Sequence, residues 1–267
     1  QENGYKTLHS VLLSAQNSQK TTKQQIEAFF NEHTLTRAVV KPVAGGSSIG
    51  VFNVDSSAEA AEKAAYLFDN NIDREAILEP FCQGREFTVC VMANNDGEPV
   101  AFVPSEIEID NTGGQIFDYR RKYLPTANTK WHCPPRFADE AVTTIRHQAE
   151  AIFKLFGMRD FARLDGWVLA NEQGGDDVLF TDLNPISGLE QNSFIFQQAA
   201  RLGLSHSDVL RHLLALALKR QGQALPTMAV QNQEITENKS PVHVLFGGTT
   251  AERQVSLMSG TNVWLKL

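Results

Sequence analysis

Four polar residues in one short segment have the types and spacing to do chemistry together. They are Arg163, Asp165, Asp182 and Asn184 in "FARLDGWVLANEQGGDDVLFTDLNP", residues 161–185. Apolar runs flank the turn-prone "NEQGGDD", which predicts two antiparallel strands joined by a loop. A loop centred between Gln173 and Gly174 sets Asp165 opposite Asp182 and Arg163 opposite Asn184. Side chains two apart on a strand share a face, so all four crowd one patch. Like charges directly opposite destabilise a sheet, so something positive belongs between the carboxylates. Hard carboxylate and amide oxygens suit Mg2+, which binds through one or two carboxylates plus substrate phosphates. The competing reading is an ion pair of Arg163 with Asp165 or Asp182, which neutralises one carboxylate and leaves the other.

A second group lies upstream. "VVKPVAGGSSIGV", residues 39–51, sets a Gly/Ser loop beside Lys41. It is no Walker A loop, because no Gly-Lys-Ser/Thr follows and the loop runs on into a strand. Backbone N–H groups and hydroxyls of such a loop can still cradle phosphates; the alternative is a flexible turn. Lys41 stands on an apolar strand, where Lys is seldom found without a partner. Lys122 lies in the aromatic, basic "FDYRRKYLP". Singly each reads as a solvated Lys; with the Gly/Ser loop they fit a polyphosphate held by two ammonium groups. In "ILEPFCQGREF", Glu79 and Glu86 end or follow an apolar strand, either to bond an adenine amino group or ribose hydroxyl, or simply as exposed carboxylates.

Elements must hold these groups in place. Apolar periodicity predicts helices over "KTTKQQIEAFFNEH", over "DSSAEAAEKAAYLFDN" with a cap at Asp55, Ser56 or Ser57, and over residues 138–156 with Gly157 as the stop. "NSFIFQQAARLG" and "SHSDVLRHLLALALKRQ" read as two more. "EAILEPF" is a short strand, and "EFTVCVMANNDGEPVAFVPSEIEI" alternates around an "NNDG" turn. Residues 110–135, punctuated by Gly and Pro, read as a long functional loop. Residues 221–240 are polar and aperiodic, a linker, after which "PVHVLFGGTTAERQVSLMSG" starts again as strand, Gly-Gly turn and helix.

Composition sets limits on the rest. The chain has 267 residues, 42% hydrophobic and 21% charged, with a net charge of −7. An acidic chain without a Lys/Arg block is a poor nucleic-acid binder, and no apolar run approaches the ~20 residues of a membrane span. Three cysteines without CxxC spacing predict neither a disulfide framework nor a zinc site, but the reduced thiols of a cytoplasmic protein. "WHC" at 131–133 is too few ligands for a metal site.

Taken together, "VVKPVAGGSSIGV", "ILEPFCQGREFTV", "FDYRRKYL", "FARLDGWVL" and "DLNPISG" stand in the order and spacing of D-alanine-D-alanine ligases, and over about residues 20–220 the chain resembles that ATP-grasp family. The resemblance implies an α+β fold in which two subdomains, 1–82 and 83–220, clamp ATP. It also implies an ADP-forming, ATP-dependent joining of two D-alanines through an acyl phosphate, for peptidoglycan precursors. By the same resemblance Lys41 contacts the α- and β-phosphates with help from Ser48, and Glu79, Phe81, Cys82 and Glu86 line the adenosine site. Lys122 reaches the γ-phosphate. Asp165, Asp182 and Asn184 hold two Mg2+ ions, for which Mn2+ can substitute, and Arg163 stabilises the oxyanion. Ser47 and Tyr123 orient the first D-alanine, while Gly188 and Ser193 lie around the second.

The tail, residues 241–267, resembles the start of the same family's α/β N-terminal domain, with Glu252 in the place of a Glu that binds the first amino acid. That order implies a tandem of ligase-like units, of which this is one unit and the start of the next, or a circular rearrangement. It also allows a homodimer or pairing with a second unit in the same chain. There are departures from the family pattern. Asp182 stands where the family has Glu, Phe117 lacks a common hydroxyl, and "NPISGLEQ" replaces "NTxPGMT". The alternatives are therefore an ATP-grasp ligase for another amino or hydroxy acid, or a non-catalytic nucleotide-binding half of a tandem protein.

Overall fold

The computed structural model describes residues 3–44, 46, 48–109, 129–171, 173–226, 243–249 and 253–265. Two antiparallel sheets organise them. The first runs in the order β1 (Val11–Ser14), β4 (Glu75–Pro80), β2 (Ala38–Pro42), β3 (Phe52–Val54). Helices α1 (Gln19–Glu32) and α2 (Ser57–Asp69) cover one face of it. Alternation in β2 and β4 decides which face: Ala38, Val40, Ala76 and Leu78 are buried with Ile26, Phe29, Ala64 and Leu67 of the helices. Val39, Lys41, Ile77 and Glu79 project from the opposite, half-covered face. Ser18 caps α1, and Ser56 of the three candidates caps α2; each side chain accepts from a backbone N–H in the first turn.

The second sheet runs β10 (Asp176–Asn184), β9 (Phe161–Ala170), β5 (Arg85–Ala93), β7 (Ser105–Ile109), β8 (Thr129–His132), with β6 (Pro99–Ala101) also paired to β5. The expected "NNDG" turn closes β5 on β6, with Gly97 in the left-handed region at φ 86°. Phe87, Val89, Leu164 and Val168 face helix α3 (Asp139–Leu155), whose Ala141, Ile145, Ala149 and Ile152 complete an apolar core. Gly157 ends that helix at φ 60°. The other face meets α4 (Phe194–Ala200) and α5 (His206–Arg220), which pack Phe194, Ile195 and Val209 on Cys90, Met92 and Ile107. Ser205 caps α5 in a capping box with Asp208.

Two sequence readings need correction. Residues 243–248 form no strand and pair with no sheet among the described residues, although α6 (Arg253–Trp264) follows as expected. Phe246 instead lies against Gly260 of that helix, where a Cβ would come within 2.2 Å of it. A lone apolar strand needs neighbours to bury its faces and satisfy its backbone, and 27 residues do not supply them. The short edge strand β1 also went unread, because "VLLS" is only four residues long and lacks alternation. Most of the 221–240 linker, with Phe117, lies outside the described residues.

Candidate active site

The 161–185 hairpin builds the densest polar cluster. Asp165 pairs with Asp182 and Arg163 with Asn184, as the sequence implied, but by a different route. The turn registers Asp176 with Ala170 and Phe180 with Gly166, which would carry Asp182 to the wrong partner. One extra residue, Thr181, then bulges out and restores the pairing of Asp182 with Asp165. Gly166 permits the close packing next to this bulge. A Cβ there would lie 2.1 Å from the Leu179 carbonyl oxygen and 2.6 Å from the Phe87 ring.

Within the cluster, Arg163 pairs with Asp165, which decides between the two ion pairs open at the sequence level. Arg163 Nε donates to Asp165 Oδ1 at 3.0 Å and Nη2 to Oδ2 at 2.9 Å, a forked charge-assisted contact between residues only 8% and 3% exposed. Thr88 Oγ1, from the facing strand β5, donates to Asp165 Oδ1 at 2.6 Å. Asn184 Nδ2 donates to Oδ2 at 3.2 Å, leaving the amide oxygen of Asn184 as an acceptor. Arg163 Nη1 reaches Ser187 Oγ at 3.4 Å. Asp182 is exposed beside this group. Glu86 lies on the same strand as Thr88, two residues away and therefore on the same face, 6% exposed.

The first sheet gathers another set. Lys41 Nζ lies 2.7 Å from Glu79 Oε2, two residues off in register on adjacent strands, so the partner demanded of a strand Lys is Glu79. Cys82 adjoins them: burial pushes its thiol up to about 11, helped by the Glu79 charge and opposed by Lys41. The Phe81 ring lies under the Arg37 guanidinium, 4.0 Å away, and its backbone N–H donates to the Arg37 carbonyl. Ser48 sits at φ 57° in the Gly/Ser loop, whose start is tied down by a hydrogen bond from the Ala44 N–H to Asp73 at 2.7 Å. Gly188 is exposed with the Glu190 carboxylate against it. Ser193 precedes α4 with a buried hydroxyl that makes no hydrogen bond among the described residues. Ser47, Lys122, Tyr123 and Glu252 lie outside the described residues.

Sequence reasoning missed Thr88 and Gln198. Alternation in "EFTVCV" puts Thr88 on the face of Glu86, a signal that was available. Gln198 sits four residues after Phe194, a polar residue on the apolar stripe of a short helix, and that too was a signal.

Two antiparallel sheets with flanking helices, one carrying Lys41 and Glu79 and the other Arg163, Asp165 and Asn184, form an α+β fold that is similar to those of solved ATP-grasp ligases. The D-alanine-D-alanine ligase of Coxiella burnetii superposes with a TM-score of 0.63 at 21% identity, over 83% of this chain and 55% of that one. The VanG D-Ala:D-Ser ligase of Enterococcus faecalis gives 0.64 at 28% identity, over 80% and 57%. The family model "D-ala D-ala ligase C-terminus" matches residues 1–215, and the chain belongs to that family. Among named relatives, the D-alanine--D-alanine ligase of Kineococcus radiotolerans is 30% identical over 68% of this chain and 47% of its own length. That of Pediococcus pentosaceus is 34% identical over 66% and 46%. The chain thus spans about half the length of the curated relatives it matches.

Proposed function

We propose that this chain carries the nucleotide-binding and catalytic half of an ATP-dependent, ADP-forming ligase that joins two D-alanines. The observation that carries the reading is the cross-strand pairing of Asp165 with Asp182 and of Arg163 with Asn184 on adjacent strands, which gathers two carboxylates, an amide oxygen and a guanidinium in one cluster. The donor set fits Mg2+: two carboxylates and an amide oxygen, all hard oxygens, on two adjacent strands. Asp165, Asp182 and Asn184 would hold the metal. When bound, it would neutralise the charge of the transferring phosphoryl group.

In this reading Lys41 and Glu79 hold the nucleotide on the first sheet, Lys41 on its phosphates and Glu79 on the adenosine, with Ser48, Phe81, Cys82 and Glu86 lining the same site. Lys122 meets the γ-phosphate. A D-alanine carboxylate oxygen attacks the γ-phosphorus, ADP leaves, and the amine of the second D-alanine attacks the acyl carbon of the resulting acyl phosphate. Phosphate then departs. Arg163 stands where the tetrahedral oxyanion develops, the role for which a preorganised donor contributes most. Ser47 and Tyr123 serve the first amino acid and Gly188 and Ser193 the second, while Glu252 serves the first amino acid of the following unit. Whether the working unit is a homodimer or pairs with a second ligase-like unit in the same chain is part of the proposal.

A second reading changes the last acceptor. The wall from Asn184 onward reads "NPISGLEQ", the Glu190 carboxylate presses on Gly188, and the Ser193 hydroxyl is buried with no hydrogen bond among the described residues. A polar second substrate such as D-serine would find a donor or acceptor there, and one 28% identical relative bears the name D-Ala:D-Ser ligase. ADP release by the protein with Mg-ATP and D-alanine, alone and with D-serine or D-lactate as second substrate, separates the two. Release with D-alanine alone supports the first reading, and release only with a second acid the other. Nucleotide binding with no release on any substrate contradicts both and leaves a binding role.

A further inference from the structure

Gln198 is fully buried on α4, against the strand that supports the candidate cation site. Strand β5 pairs with β7 through Glu86, Phe87 and Thr88 and with β6 through Val91, Met92 and Ala93, so its ladder on that edge is interrupted between them. The Gln198 amide fills the interruption as a strand's backbone would. Its Oε1 accepts from the Cys90 N–H at 2.9 Å, and its Nε2 donates to the Thr88 carbonyl at 3.0 Å and to Ser105 Oγ at 3.1 Å. Thr88, held on its backbone by this amide, donates its hydroxyl to Asp165 Oδ1 at 2.6 Å.

We infer that Gln198 and Thr88 are positioning residues that fix the Asp165 carboxylate for cation binding, Gln198 acting only through Thr88. The inference rests on the reading of Asp165 as a cation ligand. Two features support it. A buried amide is costly unless its groups are matched, and here both ends are matched, at three points on two strands. The short Thr88 bond restricts the Asp165 rotamer from the Oδ1 side, where Arg163 Nε also donates, while Arg163 Nη2 and Asn184 Nδ2 hold Oδ2. Partners one shell out from a metal ligand set its orientation and typically change metal affinity by about 10–100-fold when removed.

The test uses the full-length protein and reads Mn2+ affinity by EPR in the presence of a non-hydrolysable ATP analogue, with metal-free nucleotide affinity and thermal midpoint measured alongside. Thr88→Val should weaken Mn2+ by about tenfold or more while nucleotide affinity holds, and Thr88→Ser should restore it. Gln198→Glu, which keeps the acceptor and loses the donor, should weaken Mn2+ as well. Should that variant not fold, Ser105→Ala removes one of the three anchors and should weaken Mn2+ by about threefold. A role in stability alone would lower the midpoint of Thr88→Val and leave Mn2+ affinity within twofold, which overturns the inference. Asp165→Asn is the control. If it binds Mn2+ like the wild type, the cation reading itself falls, and the inference with it; if it loses Mn2+ while Thr88→Val does not, only the inference falls.

Discussion

The two sheets each carry a charged pair, and they carry them differently. Lys41 and Glu79 stand on a half-covered face, 26% and 15% exposed, with one 2.7 Å contact between them. Arg163 and Asp165 are nearly sealed, 9% and 4% exposed on the side chain, and are held in a net that includes Thr88, Asn184 and Ser187. A partly exposed pair loses less when broken, because water can reach the partner left behind. A sealed pair cannot come apart without stranding a charge. The first arrangement suits groups that exchange each other for a ligand; the second suits groups that must keep one geometry while the ligand changes.

Truncation should expose that contrast most strongly. Arg163→Ala removes the forked guanidinium from the buried Asp165, to which Thr88 and Asn184 still donate, and should cost about 3–5 kcal/mol in urea unfolding. Lys41→Ala should cost less, about 1–2 kcal/mol, because water can partly replace it at Glu79. Equal losses at the two sites would dissolve the distinction. A smaller effect tests the packing behind the sealed pair. Gly166→Ala forces a Cβ against the Leu179 carbonyl and the Phe87 ring, and should cost about 1–3 kcal/mol. An unchanged midpoint would mean that the hairpin yields there and that its register is not locked.

The smallest effect concerns Cys82, which reports on the open pair. With its thiol near 11, only about one molecule in a thousand carries a thiolate at pH 8, so alkylation by iodoacetamide should be slow and should rise with pH toward 11. Glu79→Gln removes the neighbouring negative charge that raises the thiol and should speed alkylation a few-fold. Lys41→Met removes the opposing positive charge and should slow it. Faster reaction in the Lys41 variant would reverse the sign and place the thiol outside the field of the pair.

Part of this was legible in the residues. Lys41 on an apolar strand called for a partner, which the structure supplies as Glu79, and the summed positions of the hairpin named the right cross-strand partners. The route to those partners was not legible. A bulge at Thr181 adds one residue to one strand, and nothing in "VLFTDLN" distinguishes it from a regular strand. The partners of Gln198 were hidden for another reason: its place on an apolar stripe marked it, but its three bonds join strands 93 to 110 residues away in sequence, and no local pattern reports a contact at that range. The tail misled because "VHVLFGG" has the composition of a strand but no sheet to join among the described residues.

The account turns on chemistry at the sealed pair and nucleotide grip at the open one. Its most direct test is the rate of D-alanine-dependent ADP release by the Arg163→Lys protein, measured with ATP affinity on the same sample. Lysine keeps the positive charge and loses the forked geometry. The rate should fall by about 100-fold or more with ATP affinity unchanged within about threefold. ADP release at the wild-type rate would show that the Arg163 fork takes no part in the chemistry and would contradict the account at its centre.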